Sequence, residues 1–156
     1  MAKIEYNITS NLDKVAYAFE MAPEDTVRSI QTAIELIAFR LARVSAPKAP
    51  SDTGKLQGDL ARPEIKPLYA RVGSNRNYAV FVHEGTKPHY PPIKALTGWA
   101  SRHNISPYVV ARAISKRGTK ANPFLKDSLA ETESYREQTI SKQMNSVLQS
   151  IESRHK

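Results

Sequence analysis

The segment from about Glu24 to Val44 constrains the fold more than any other part of the chain. Val27, Ile30, Ile34, Ile37, Leu41 and Val44 are spaced 3, 4, 3, 4 and 3 residues apart. That spacing puts them in one apolar stripe along an α-helix. Leu36 and Phe39 widen the stripe, and Pro23, Glu24 and Asp25 suit the positive end of such a helix. At 1.5 Å per residue the helix is roughly 30 Å long. It needs a partner surface, and the reading that follows is a core helix whose Ile30, Ile34, Ile37 and Leu41 face a sheet.

The rest of the chain supplies candidates for that surface. Ile4, Tyr6 and Ile8 alternate with polar residues over Lys3–Thr9, which reads as a short strand. Asn11 or Asp13 is placed to cap a short helix through about Glu20. From Arg62 to Val82 the pattern is again of strands. Leu68, Ala70 and Val72 form one alternation and Tyr78, Val80 and Val82 another, with Asn75-Arg76-Asn77 as the turn. Two Pro/Gly-rich segments, 45–58 and 84–92, read as long loops that reach neighbouring molecules. Ile93–His103 reads as a helix. A second helix opens at Ser106-Pro107 and is stopped by Gly118.

Asn122-Pro123 opens a long last helix, well specified at both ends but polar from Glu131 to Thr139. Its late stripe is Ile140, Met144, Val147, Leu148 and Ile151, packing either on the chain's own core or on an adjacent subunit. The predicted class is α+β: a small, mainly antiparallel sheet packed by a long helix in the N-terminal half and a long C-terminal helix. Residues 1–130 form the expected domain and 131–156 a helical extension of it.

Composition narrows the chemistry. The 156 residues are 40% hydrophobic and 24% charged and include no cysteine, which excludes disulfides, thiolate metal sites and thiol nucleophiles. No apolar run approaches the roughly 18 residues needed to span a bilayer, and the N-terminus shows no signal-peptide pattern. The expectation is synthesis in a cytoplasm and no membrane partner. The net charge is +8, and residues 40–126 carry 16 basic against 4 acidic side chains. Such a field suits phosphate or an acidic protein surface. Lys48, Lys55, Arg76, Lys87, Arg117 and Lys120 are the candidate contacts to DNA or to other subunits.

Catalytic and metal-binding patterns are weak. His83-Glu84 and His89 lack the helical His-Glu-x-x-His spacing and are separated by Gly85 and Pro88. Asp52-Thr53-Gly54 reads as a turn in which Asp52 bonds nearby backbone N–H groups. There is no phosphate-binding glycine loop and no nucleophile elbow. No catalytic residue, metal or cofactor is expected.

Four segments, in order, match one pattern. They are Ala49-Pro-Ser-Asp-Thr-Gly-Lys-Leu56, Tyr78-Ala-Val-Phe-Val-His-Glu-Gly-Thr86, Pro91-Pro92 with Leu96-Thr-Gly-Trp99-Ala100, and Lys116-Arg-Gly-Thr-Lys-Ala-Asn-Pro123-Phe124-Leu125. Over roughly residues 25–130 the chain resembles the head–tail joining, neck or tail-completion proteins of tailed bacteriophages. The resemblance implies a non-enzymatic virion protein with a fold like that of tail terminators. It further implies a ring, six subunits being the expected number, that touches neighbouring neck and tail-tube proteins, with DNA in the channel as a further candidate partner. In this pattern Asp52, Thr53 and Gly54 shape a loop, Gly85 and Thr86 end a strand, and Phe124 and Leu125 dock the last helix onto the sheet. The pattern covers little of residues 130–156.

Overall fold

The computed structural model describes residues 9–154. Helices dominate: α1 (Thr9–Met21), α2 (Pro23–Lys48), α3 (Lys55–Leu60), α4 (Ala79–Glu84), α5 (Ile93–Arg102), α6 (Pro107–Arg117), α7 (Phe124–Glu131) and α8 (Glu133–Arg154). The one sheet among the described residues is an antiparallel hairpin of β1 (Glu64–Lys66) and β2 (Tyr69–Arg71). The chain is thus mostly helical with a small antiparallel sheet, compatible with an α+β class. The strand expected over Lys3–Thr9 lies outside the described residues, except that Thr9 begins α1.

The described chain divides into two compact units interleaved in sequence. Unit one comprises residues 1–40, 64–71 and 132–156; unit two comprises 41–63 and 72–131. The charge is divided with them. Unit one holds 10 basic and 10 acidic side chains, whereas unit two holds 13 basic and 5 acidic, net +8.

In unit one, α1 packs on α8 through Ala18, Ala22, Val147 and Ile151, with Met144 and Leu148 at the edge. The late stripe of the last helix therefore covers the chain's own first helix. Ile140 stays out of that cluster and is 55% exposed. At the junction of α1 and α2 the buried Thr26 hydroxyl donates to the carbonyls of Ala22 (2.7 Å) and Ala18 (2.9 Å). A buried hydroxyl without such acceptors would be destabilising.

The hairpin in unit one is not the expected one. Its turn is Pro67-Leu68, within the first apolar alternation, and Lys66 pairs with Tyr69. Leu68 takes a positive φ of 53°, and its N–H donates to Oε1 of Gln31 at 2.6 Å. The expected second strand is helix α4. Short apolar runs fit both periods, and here Ala79 and Val82, three apart, meet one core cluster on the helical period.

Helix α2 extends beyond its expected end, through Ser45 and Pro47 to Lys48. Its deeply buried residues are small: Thr26, Ala33, Ala38, Ala42 and Ser45. Ile30, Ile34, Ile37 and Leu41 flank this line and are only half-buried. Small side chains at such positions let neighbouring backbone approach closely. The last helix is also corrected. It breaks at Thr132 into α7 and α8, at the start of the polar stretch.

The core of unit two joins Ala49, Leu56, Leu60, Ala79 and Phe124, with Val72, Val82 and Leu125 packed against it. Phe124 and Leu125 thus dock among helices and not on a sheet, because no strand lies in this unit. Two substitutions distinguish the two kinds of position on α2. Ile34→Ala should cost about 1–2 kcal/mol, below the cost of a fully buried site. Ala42→Leu should cost about 1–3 kcal/mol through overpacking. Urea denaturation of the two variants checks both values.

Candidate functional site

The prominent surface feature of unit two is an apolar groove of about 1340 Å³. Its walls come from six segments. Pro50 follows α2; Tyr78, Phe81 and Val82 come from the start and body of α4; Leu96 and Trp99 belong to α5; Val110 and Ile114 belong to α6. The segments 86–91 and 119–123 close it. All four segments of the sequence pattern contribute to this one surface.

Local sequence explains how the walls stand. Helix α5 opens after Pro92, and α6 has Pro107 in its first turn. Each helix buries an alanine, Ala100 or Ala111, so the two pack closely and turn their larger residues outward. Trp99 stacks on His103, with ring centroids 4.1 Å apart and 19° between planes. His103 Nδ1–H donates to the Trp99 carbonyl at 2.9 Å, which fixes that stack. On α4, Ala79 points into the core while Val80 and Phe81 remain 64% and 59% exposed. A strand would have placed those two residues on opposite faces.

The groove is closed by a bridge between Thr86 and Thr119. Each backbone N–H donates to the other's carbonyl at 3.1 Å, and the two hydroxyls lie 3.0 Å apart. Next to it, the Asn122 N–H donates to the Val82 carbonyl at 3.0 Å. Gly85 and Gly118 flank the bridge at φ values of 73° and 69°. A Cβ on Gly118 would lie 1.9 Å from the Thr86 carbonyl oxygen; one on Gly85 would lie 2.6 Å from that of Thr119. Gly85 therefore ends helix α4, not a strand, and permits the close approach that the bridge needs. Gly54 also has a positive φ, 71°, but open space around it. Gly118→Ala should cost about 3 kcal/mol or more. Gly54→Ala should cost only about 1–2 kcal/mol, the penalty of a left-handed residue. Thermal melts of the two variants test this difference.

Asp52 does not bond a neighbouring backbone N–H as expected. Both its oxygens engage the Arg102 guanidinium at the end of α5, one of them with Nε at 2.8 Å. Arg102 holds the Asp52 carboxyl below its usual range, and Asp52 in turn raises Arg102. The pair ties the loop before α3 to a groove wall. Sequence reading missed it because 50 residues separate the partners.

A second pair supports the segment leading into α4. The Ser74 hydroxyl donates to Asp59 Oδ2 at 2.6 Å, and Arg76 donates to Oδ1 at 3.1 Å. The serine first, then the arginine, holds Asp59 below the ordinary carboxylate range.

Of the six candidate contact cations, Arg76 is therefore held by Asp59, and Lys48 by Glu131 at 2.5 Å. Lys55, Lys87, Arg117 and Lys120 are exposed and form no ion pair among the described residues. Lys87 and Lys120 sit on the groove, and Arg117 lines a smaller cavity that shares Val110, Ile114, Thr119 and Lys120 with it.

The residues weighed for catalysis do not converge. His83 bonds Glu84 through Nδ1 at 2.6 Å and meets the Phe124 ring edge-on at 5.1 Å. His89 donates from Nδ1 to the Lys87 carbonyl at 2.9 Å. Among the described residues no group of three or more His, Asp or Glu side chains is arranged to hold a metal ion. No described helix is long and apolar enough to cross a membrane.

Compared with known proteins, the chain matches no family model, no curated protein and no solved structure.

The pairing around Asp59 has a pH signature. A carboxylate whose folded pKa is depressed stabilises the fold above its unfolded pKa, about 3.9. That contribution is lost as the pH falls through the lower, folded value. Ser74→Ala should raise the Asp59 pKa toward about 3.9 and move acid unfolding to higher pH. Carboxyl-carbon NMR titration and a pH series of denaturation curves check the two parts.

Proposed function

We propose that the protein is a structural virion component at the head–tail junction of a tailed phage. Its subunits form a ring, expected to be of six, that completes the tail or joins it to the head. The observation that carries this reading is spatial. The four ordered segments of the resemblance line one groove in unit two, and they build a surface rather than a catalytic cluster. Exposed large apolar side chains support it: Val80, Phe81, Tyr90, Tyr108 and Val109 all lie on unit two and are mostly exposed. An apolar surface of this kind marks a contact site. The proposed fold relationship is to tail terminators, with the groove and loops serving subunit contacts. In this reading the protein is not an enzyme, has no cofactor and resides in the virion.

Charge favours a second reading, a basic module that contacts duplex DNA. All of the net +8 falls in unit two, and Lys55, Lys87, Arg117 and Lys120 are exposed there. In that case duplex affinity falls by about 10³-fold or more between 50 and 200 mM salt if six or more phosphates are neutralised.

Image reconstruction of the assembled particle tests the ring. The expected result is a ring of copies at the top of the tail; one copy per particle, or copies scattered over the capsid, overturns it. Simultaneous alanine substitution of Asp52, His83 and Glu84 should remove no turnover. A hydrolytic activity abolished by any one of these changes refutes the non-enzymatic reading.

A further inference from the structure

The groove and helix α1 present complementary chemistry on opposite members of a pair of surfaces. The residues lining the groove include no carboxylate, and Lys87 and Lys120 stand on it with Arg117 just beyond. None of the three is in an ion pair among the described residues. The groove is larger than the roughly 300–1,000 Å³ that suits a small molecule. An occupant should therefore bring a row of apolar side chains flanked by negative charge.

Helix α1 carries such a row. Asp13, Tyr17 and Glu20 are spaced i, i+4 and i+7, so they share one face, with Met21 beside them. Tyr17 is 46% and Met21 40% exposed, and neither belongs to the cluster through which α1 packs on α8. Asp13 and Glu20 are exposed and have no cationic partner among the described residues, and Lys14 stands at the Met21 edge of the face, on the side away from Glu20. The acidic pair spans roughly 10 Å along the helix, with the aromatic ring between its members.

We infer that the groove of one copy receives the Asp13–Tyr17–Glu20 face of α1 from a second copy. Tyr17 and Met21 lie against Phe81 and Trp99, and Asp13 and Glu20 meet Lys87, Lys120 and Arg117. The two patches are unlike, so the contact is heterologous. Such a contact leaves a free groove and a free α1 at the ends of any chain of copies, and repetition closes a ring where the rotation permits. The inference rests on the ring reading above and names the surfaces that would build it.

The test uses the full chain with a benzoylphenylalanine photo-crosslinker in place of Tyr17. Equal amounts of ordinary and ¹⁵N-labelled chains are mixed and irradiated, and the joined peptides are sequenced by mass spectrometry. Mixed-isotope products linking position 17 to peptides containing Phe81 or Trp99 are expected. Their yield should fall at least about fivefold with Asp13→Lys plus Glu20→Lys, and equally with Lys87→Glu plus Lys120→Glu. Mixing the two double variants should restore it. These are surface positions, and unchanged melting curves confirm that folding is intact. A yield that falls as salt rises, measured on the chain without charge substitutions, gives an independent check.

Products formed only within one chain, products landing outside the groove, or yields indifferent to both charge reversals overturn the contact. So does capture of an acidic helix from another protein in preference to α1. Failure here is separable from failure of the ring. A particle ring in which α1 faces solvent removes this contact alone, whereas a single copy per particle removes the ring.

Discussion

The antiparallel bridge between Thr86 and Thr119 is the interaction on which the groove depends. It brings together two segments 33 residues apart and so positions α4, α5, α6 and the start of α7 around one space. Two backbone hydrogen bonds would not suffice for this on energetic grounds, since each contributes about 1 kcal/mol net. The steric fit decides the matter. Gly85 and Gly118 remove the Cβ atoms that would collide with the opposite backbone, and both adopt dihedrals that side-chain-bearing residues avoid. The bridge also satisfies backbone groups in a loop that has no other regular structure.

Much of the local structure was legible in the sequence, and the reasons are local. Pro23, Pro107 and Gly118 mark helix ends by dihedral restrictions that act on single residues, so the start of α2 and both ends of α6 could be placed closely. The polar stretch after Glu131 marked the weak middle of the last helix, which the structure divides at Thr132. The segment 78–83 was not legible, because six residues of alternating size fit a strand as well as a helix. Only tertiary contact separates the two, through Ala79 and Val82 meeting Phe124 and Leu56. The apolar stripe of α2 located the helix but not its buried line, which consists of alanine, serine and threonine. Periodicity weights large side chains, whereas close packing selects small ones.

The groove itself was legible only as separate pieces. The pattern residues Tyr78, Thr86, Trp99 and Pro123 all line it, while Asp52 and Gly54 do not: Asp52 pairs with Arg102 and Gly54 stands at the start of α3. Pairings over 15 to 50 residues, such as Ser74 with Asp59 and Arg102 with Asp52, leave no local signature. Net charge behaved similarly. A run of cations along the chain did not reveal which were already neutralised, and the structure removes Lys48 and Arg76 from the free set.

The interleaving of the two units sets an order for their completion during synthesis. The chain passes between them at residues 40, 63, 71 and 131. The groove walls are all made once Leu125 has left the ribosome. Ala18 and Ala22, though synthesised first, have nothing of α8 to cover them until Val147 and Ile151 follow. Helix α1 is therefore anchored later than the helices that follow it, and a chain truncated before residue 147 would carry a finished groove and an unanchored α1.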